Sequence, residues 1–361
     1  MKKKNAIIER IRPEIRQLTA YHVPDPGDTI KLDAMENPYQ WEPALIEKWQ
    51  EHLGCASLNR YPDPTAHALK QELRKTMEIP PTMDLILGNG SDELIQMLIQ
   101  AMHQPGQVLL APEPSFVMYS LLAQAIGMEY VGVPLRKDDF SLDLPAMLEA
   151  ITTYQPALIF IANPNNPTGN AFAVEDLETI LEHAPGAVVL DEAYTPFAET
   201  SFMARLEEYP NLLVMRTVSK LGLAGLRLGL LAGPQSVLEH LEKIRLPYNI
   251  NILTQRSAVF ALQHYALFEE QTKCICADRS TVLQQLRALE EVQVWPSQTN
   301  FILLRVKNAP ELFTGLREQG VLIKCLHGSH PFLDNCLRVT IGTPEENKIF
   351  LKVFTSLLHN N

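Results

Sequence analysis

Between about residues 85 and 235, short apolar segments alternate with helix-forming stretches, and this alternation leaves few folds open to the chain. Predicted strands lie near 85–87, 108–110, 129–134, 157–162, 187–190 and 212–215, and predicted helices near 94–102, 117–126 and 174–183. This pattern is typical of a largely parallel sheet with helices on both faces. In an open sheet of that kind, ligands bind beyond the carboxyl ends of the strands. We therefore expect an α/β fold with a functional site along that edge.

Polar and aromatic residues stand where several of these predicted strands end. They are Gly90-Ser91, Phe116, Asn166, Asp191, Tyr194 and Lys220. Asn166 lies in a dense cluster of turn-forming residues, 163–169, whose backbone amides must point in definite directions. Asp191 ends an apolar strand, where a carboxylate is seldom found without a cationic partner. Because the strand ends share one edge, we expect these side chains to lie close together.

The lysine after the last of these strands, Lys220, has small neighbours at Gly222 and Gly225. Burial disfavours the ammonium form and lowers the pKa of a lysine. A lysine in that state is a nucleophile that forms a Schiff base with an aldehyde. Taken alone, the segment fits an ordinary surface lysine at a strand end better, and the rest of the chain has to decide.

The turn from Gly88 to Ser91 brings two glycines and a serine to the start of a predicted helix. Backbone N–H groups gather there at the positive end of the helix dipole, which makes an anion site, most often for phosphate. The segment lacks the lysine of a Walker loop and the third glycine of a dinucleotide fingerprint. A glycine-rich turn capped by Ser91 or Asp92 is the alternative interpretation.

Taken together, these residues suit a flat, phosphorylated aldehyde with a basic ring nitrogen, and pyridoxal phosphate has these properties. The helix start, Ser219 and Arg227 would hold the phosphate, and Lys220 the aldehyde. The other predicted contacts of the ring are Asp191 at its protonated nitrogen, Asn166 and Tyr194 at its hydroxyl, and Phe116 on its face.

Several motifs accompany these residues along the chain. They are Leu32-Asp33-x-x-Glu36-Asn37-Pro38, Arg60-Tyr61-Pro62, Gly88-x-Gly90-Ser91-Asp92-Glu93, Asn163-Pro164-Asn165-Asn166-Pro167-Thr168-Gly169, Asp191-Glu192-Ala193-Tyr194, Ser219-Lys220, Gly222-Leu223-Ala224-Gly225-Leu226-Arg227, Arg245-Leu246-Pro247-Tyr248-Asn249-x-Asn251, Ser297-x-x-Asn300-Phe301 and Cys336-Leu337-Arg338-Val339-Thr340-x-Gly342. With them, nearly the whole sequence resembles the fold-type I pyridoxal-phosphate-dependent aminotransferases. Within that family it is similar to the histidinol-phosphate aminotransferase subfamily.

The resemblance implies a large domain with a mostly parallel seven-stranded sheet at residues 40–255. A smaller α+β domain would comprise residues 1–39 and 256–361, with the site between the two domains. In its C-terminal part the sequence predicts a long helix over 254–289, strands near 292–295, 301–305, 321–324 and 337–341, and helices over 310–318 and 345–358.

The resemblance also implies roles for individual residues. Lys220 would be the catalytic residue and carry the cofactor. The phosphate would be bound by Ser91, Asp92, Ser219 and Arg227, joined by Tyr61 from the partner subunit of a homodimer. The substrate would be bound by Tyr21, Lys324 and Arg338. Many members of the family have arginine in place of Lys324. A lysine supplies positive charge to a phosphate but cannot form the two parallel hydrogen bonds of a guanidinium.

The implied reaction transfers the amino group between L-histidinol phosphate and 2-oxoglutarate, giving imidazole acetol phosphate and L-glutamate. An aromatic amino acid aminotransferase of the same fold is the first alternative, because it shares every cofactor residue. A phosphothreonine-type decarboxylase and a non-catalytic regulator are others, but a regulator would need a fused DNA-binding module, for which residues 1–30 are too short. An α/β binding protein without a cofactor would require all these strand-end residues to be accidental.

Composition narrows the partners and the location. The net charge of −11 over 361 residues argues against nucleic acid as the main partner. The 5 cysteines lack paired zinc spacing, so we expect no metal site and free thiols in a reducing cytoplasm. We expect neither a signal peptide nor a membrane span, because charge interrupts the first apolar residues and no sufficiently long apolar run occurs.

Overall fold

The computed structural model describes residues 7–20 and 23–360. Its helices are α1 (Pro13–Gln17), α2 (Pro43–Gly54), α3 (His67–Thr76), α4 (Ser91–Met102), α5 (Met118–Ile126), α6 (Leu144–Tyr154), α7 (Val174–His183), α8 (Gln235–Glu242), α9 (Ile252–Gln263), α10 (Tyr265–Arg287), α11 (Ala309–Glu318) and α12 (Pro344–Asn360). Its strands are β1 (Ile30–Lys31), β2 (Met83–Asn89), β3 (Val108–Glu113), β4 (Glu129–Pro134), β5 (Leu158–Ala162), β6 (Ala187–Asp191), β7 (Leu212–Thr217), β8 (Leu228–Pro234), β9 (Gln293–Val294), β10 (Phe301–Arg305), β11 (Val321–Leu322), β12 (Lys324–Cys325) and β13 (Cys336–Thr340).

The largest sheet has seven strands in the described part of the chain, in the order β2-β8-β7-β6-β5-β3-β4. The strands from β4 to β7 pair in parallel, whereas β8 is antiparallel to both of its neighbours, β2 and β7. This confirms the predicted α/β fold with a mostly parallel sheet. The carboxyl ends of β5, β6 and β7 lie side by side, and the chain leaves each of them into a functional motif.

Apolar residues on both faces of this sheet explain why helices cover it on both sides. Along β5, Ile159 and Ile161 belong to one buried cluster, whereas Leu158 and Phe160 belong to another. The alternation follows from the two-residue period of a strand, which sends successive side chains to opposite faces. A sheet that is apolar on both faces is stable only between two layers of helices.

A second sheet lies in the C-terminal part of the chain, with the strand order β12-β13-β10-β9 and antiparallel pairing. A third buried cluster joins this sheet to α10, α11 and α12. The segment before α2 adds the short strand β1, which pairs in parallel with β11. The N-terminal segment thus packs with the C-terminal part, in keeping with the proposed smaller domain, although its bounds at residues 39 and 256 stay a prediction.

Several elements differ from the sequence predictions. The predicted helix over 254–289 is two helices, because His264 between α9 and α10 has a non-helical backbone (φ −110°, ψ 30°). The predicted strand over 321–324 divides between β11 and β12, which belong to different sheets. Four elements were not predicted, the strands β1 and β8 and the helices α6 and α8, although Asp143 gives α6 a side-chain cap by accepting from the N–H of Ala146.

No helix within the described residues is both long enough and apolar enough to cross a membrane.

Candidate active site

A cleft of about 590 Å³ opens at the carboxyl ends of the parallel strands. Its lining includes the predicted cofactor-binding residues apart from Tyr61: Ser91, Asp92, Phe116, Asn166, Asp191, Tyr194, Ser219, Lys220 and Arg227. The remaining lining residues are Met35, Gly90, Ala162, Ala193 and Thr217. Residues from distant parts of the sequence thus meet in one cleft, as the sheet topology requires.

Lys220 lies in a single helical turn, Ser219–Leu221, directly after β7. Its Nζ donates a hydrogen bond to the carbonyl of Ala34 over 3.3 Å and lies 5.7 Å from the ring centroid of Tyr194. Burial, with the positive charge of Arg338, lowers the pKa of Lys220 to about 8. At neutral pH the neutral form of this amine is therefore far more populated than that of an exposed lysine, and the neutral form is the one that attacks a carbonyl.

Asp191 is the last residue of β6 and is only 4% exposed. Its Oδ2 accepts from the Tyr119 hydroxyl over 2.7 Å, and its Oδ1 accepts from the Ala193 N–H over 3.1 Å. Burial raises the pKa of the Asp191 carboxyl to about 6, against the lowering effect of these two hydrogen bonds. Among the described residues no cationic side chain forms an ion pair with it, so this buried carboxyl lacks a cation where it faces the cleft.

The start of α4 is where the sequence predicts an anion site. The first N–H groups of a helix have no acceptor within it, and Gly90, which precedes α4, has no side chain to cap them. Arg227 lies across this turn, where a Cβ on Gly90 would come within 2.7 Å of the guanidinium. The guanidinium is 3.6 Å from Asp92 and about half exposed, so it remains accessible to an anion.

The turn after β5 is held by its own side chains. Asn165 donates to the carbonyl of Pro114 over 2.9 Å and to the hydroxyl of Thr168 over 2.7 Å, and it accepts from Ser115 over 2.8 Å. The N–H of Gly169 donates a hydrogen bond to the carbonyl of Asn165 over 2.8 Å. These bonds fix the structured turn that the sequence predicted, and they set the position of the next residue, Asn166.

Asn166 connects the cleft to the C-terminal sheet. Its Nδ2 donates to the Tyr194 hydroxyl over 3.2 Å, and its Oδ1 accepts from Arg338 over 2.5 Å. Arg338 also donates to the carbonyl of Asp33 over 3.0 Å and packs 5.3 Å from the ring centroid of Phe301. A buried guanidinium thus lies next to the amide that was predicted to contact the cofactor ring.

Four predicted residues, Tyr61, Lys324, Arg338 and Tyr21, lie outside the cleft lining or outside the described residues. Tyr61 is 80% exposed and its ring stacks on Tyr248 with 4.4 Å between centroids. Lys324 stands opposite Arg338 in the antiparallel register of β12 and β13, which brings two cationic side chains to one face. Tyr21 falls outside the described residues. No group of metal-ligating side chains occurs in residues 7–20 and 23–360.

Some residues of the site were not predicted from the sequence. Tyr119 reaches Asp191 from α5, Met35 lines the cleft, and the carbonyl of Ala34 accepts from Lys220. Tyr119 follows a predicted ring-facing residue by three positions, but nothing local indicates that its hydroxyl meets a strand end 72 residues away. These contacts depend on tertiary packing.

Comparison with known proteins finds aminotransferases among the proteins similar to this chain. The sequence model of aminotransferase class I and II matches residues 27–354. A histidinol-phosphate aminotransferase 2 of Nitrosococcus oceani is 55% identical over 351 residues, which are 97% of each chain. One of Cupriavidus pinatubonensis is 51% identical over 361 residues, 98% of each chain. The crystal structure of histidinol-phosphate aminotransferase from Sinorhizobium meliloti in complex with pyridoxal-5'-phosphate superposes with a TM-score of 0.83 at 23% identity, covering 96% of this chain and 98% of that one, and supports the fold.

Proposed function

The chain belongs to the aminotransferase class I and II family, and from that membership we propose that it transfers an amino group between L-histidinol phosphate and 2-oxoglutarate, with pyridoxal phosphate as its cofactor. The products would be imidazole acetol phosphate and L-glutamate. The substrate assignment is supported by two relatives named histidinol-phosphate aminotransferase 2, which are 55% and 51% identical to this chain over nearly their whole length. The cofactor assignment is supported by the match between the cleft and the charges of pyridoxal phosphate.

One observation carries the cofactor assignment: an amine with a lowered pKa and a buried carboxyl without a cation line the same cleft. Lys220 would hold the aldehyde, and Asp191 would pair with the protonated ring nitrogen. The phosphate would bind at the uncapped start of α4, near Ser219 and Arg227. The other ring contacts would be Asn166 and Tyr194 at the hydroxyl and Phe116 on the ring face.

When bound, pyridoxal phosphate supplies an aldehyde that accepts the amino group and a cationic ring that withdraws electrons from the substrate. The residues of this chain would then transfer protons and orient the cofactor and the substrate. With its pKa lowered to about 8, Lys220 can supply a neutral amine, which would take a proton from the substrate Cα and deliver it to the cofactor carbon that carried the aldehyde. Asp191 would keep the ring nitrogen charged, because a buried anion favours a cation beside it.

Arg338 would bind the anionic end of each substrate in turn. Histidinol phosphate has no α-carboxylate, so its phosphate would occupy the place of the glutamate carboxylate, and one guanidinium fork suits both anions. Lys324, opposite Arg338 in the sheet, would add charge for the phosphate. Tyr21 would line the pocket in the same proposal.

We further propose that the enzyme is a cytoplasmic homodimer in which Tyr61 reaches the cofactor phosphate of the partner subunit. Exposed apolar side chains around the Tyr61–Tyr248 stack support an interface, including Leu58 and Leu246 at 72% and 70% exposure. The free state of all the cysteines in the described residues is consistent with a reducing compartment.

The test mixes the cofactor-loaded protein with L-histidinol phosphate or with phenylalanine and follows the half-reaction with each amino donor by absorbance. We expect a strong preference for histidinol phosphate in the wild type and a loss of at least about 10³-fold in Lys220→Ala. Lys307→Ala, which removes an exposed lysine outside the cleft, is the matched control and should behave as the wild type. A preference for phenylalanine would favour the aromatic aminotransferase, and wild-type rates in Lys220→Ala would refute the role of the lysine.

A further inference from the structure

The buried residue Tyr119 has no role in the function proposed above, yet it contacts two residues of the cleft. Its hydroxyl donates to Asp191 Oδ2 over 2.7 Å. Its ring is parallel to that of Phe160 at 4.7 Å and perpendicular to that of Phe116 at 5.6 Å. With 0% exposure and aromatic rings on two sides, the phenol has little freedom to turn away from the carboxylate.

We propose that Tyr119 is the positioning residue that holds Asp191 ionised and in a fixed orientation for a cationic ring nitrogen. This inference rests on the proposed function, because it concerns the carboxyl that would pair with pyridoxal phosphate. Tyr119 binds one carboxylate oxygen and the N–H of Ala193 binds the other. A rotation of the carboxylate would break both hydrogen bonds, so its plane is set by the protein before any ligand arrives.

The surroundings of Asp191 make this hydrogen bond important. Burial, Asp92 and Glu192 all favour the protonated carboxyl, whereas the donors Tyr119 and Ala193 favour the carboxylate. Burial and the neighbouring Asp191 raise the pKa of Tyr119 well above its ordinary value, so its hydroxyl keeps the proton that it donates. The pKa of Tyr194, also near Asp191, is likewise raised by burial, so it stays neutral. Within the described residues, Tyr119 is therefore the side-chain donor that opposes protonation of this carboxyl.

The chain offers a matched control in Tyr130. Its hydroxyl donates to Glu113 Oε1 over 2.9 Å, and neither residue lines the cleft. Tyr130→Phe therefore removes a tyrosine–carboxylate hydrogen bond of the same kind outside the site. Tyr119→Phe keeps the ring and its aromatic contacts and removes only the hydroxyl.

The experiment measures the dissociation constant of pyridoxal phosphate from the apoprotein between about pH 5 and pH 8.5, for the wild type and both variants. Removing the hydrogen bond should raise the pKa of Asp191 by about one unit. The affinity ratio of wild type to Tyr119→Phe should then rise from about one at pH 8.5 to about tenfold at pH 5. The titrations of Lys220 and of the cofactor are common to both proteins and cancel in this ratio. Tyr130→Phe should follow the wild type throughout.

A second measurement uses inorganic phosphate, which would occupy only the start of α4. Its affinity should be the same in wild type and Tyr119→Phe, since the hydroxyl binds the carboxyl of Asp191 rather than the start of α4. An affinity ratio for pyridoxal phosphate that does not change with pH, whether it equals one or reflects a uniform loss, would overturn the inference. A wild-type protein that binds no pyridoxal phosphate at any pH would instead refute the proposed function.

Discussion

A single methyl group added at Gly229 tests whether the antiparallel strand β8 shapes the anion site. Gly229 pairs with Gly88 of β2, and the turn into α4 crosses directly over it. A Cβ built on Gly229 would lie 2.6 Å from the carbonyl carbon of Gly90 and 2.6 Å from the nitrogen of Ser91. Unstrained contacts between such atoms lie at about 3.5–4.0 Å, so the turn would have to move by about 1 Å.

The magnitude follows from what the methyl group meets. The neighbouring atoms belong to the backbone, so no side-chain rotation can relieve the contact in Gly229→Ala. Overpacking of this kind costs about 1–3 kcal/mol in the free energy of unfolding. A displacement of about 1 Å in a binding group also weakens its function by up to about 10²-fold. We therefore expect Gly229→Ala to bind both inorganic phosphate and pyridoxal phosphate about tenfold to 100-fold more weakly.

Titration of the apoprotein with both ligands, together with urea unfolding, measures these two effects. Gly225→Ala is the matched control, because no atom lies within 4 Å of the Cβ that it would add, although Gly225 is close to Gly229 in sequence. That variant should bind both ligands as the wild type does. Wild-type affinity and stability in Gly229→Ala would show that the turn before α4 does not depend on β8, and the reasoning would fail.

Two further predictions concern buried charge. Between the ordinary pKa of 3.8 and the folded value of about 6, Asp191 holds a proton that the unfolded chain releases, so stability falls as pH rises through this window. The stability of apo Asp191→Asn relative to wild type should thus increase by about 2–3 kcal/mol from pH 4 to pH 7.5 in urea unfolding, and a constant difference would contradict this. Arg216→Ala should lower the free energy of unfolding by about 3–5 kcal/mol, because it leaves Glu192 buried without its cationic partner. Arg74→Ala, at the more exposed pair with Asp84, should lower it by at most about 1 kcal/mol. Equal losses in urea unfolding would refute this reasoning.

The predictable part of the site consists of residues whose position follows from chain-local geometry. Ser91, Asp191 and Lys220 each stand at or just beyond the end of an apolar strand, and parallel strands bring such ends to one edge. Their place in the cleft therefore follows from the strand pattern alone. The chemistry follows as well, because the residue types, an amine, a carboxyl and a helix start, complement one kind of ligand.

The unpredicted part depends on contacts between segments that are distant in sequence. The strand β8 contains Gly229 and Gly233 and lies between β2 and β7, an order that no periodicity encodes. Met35 has a left-handed backbone (φ 53°), which the surrounding bonds impose: its N–H donates to Thr340, and its carbonyl accepts from Asn300. A methionine does not itself favour that conformation, so its sequence gives no sign of it.

The opposite pKa shifts of Lys220 and Asp191 share their largest cause, which is burial, and both shifts require that the two residues form no ion pair. Burial disfavours charge on both, which lowers the pKa of the amine to about 8 and raises that of the carboxyl to about 6. They lie at the ends of neighbouring strands, β7 and β6, yet in the described chain they form no ion pair. If they did, each would stabilise the charge of the other, and the lysine would become a protonated, unreactive amine. Asp191 is bound by Tyr119 and Lys220 by the carbonyl of Ala34, so each is held by a neutral group. The separation therefore preserves a nucleophile and an acceptor for a cation in one cleft, at a cost in stability that a ligand with the complementary charges would offset.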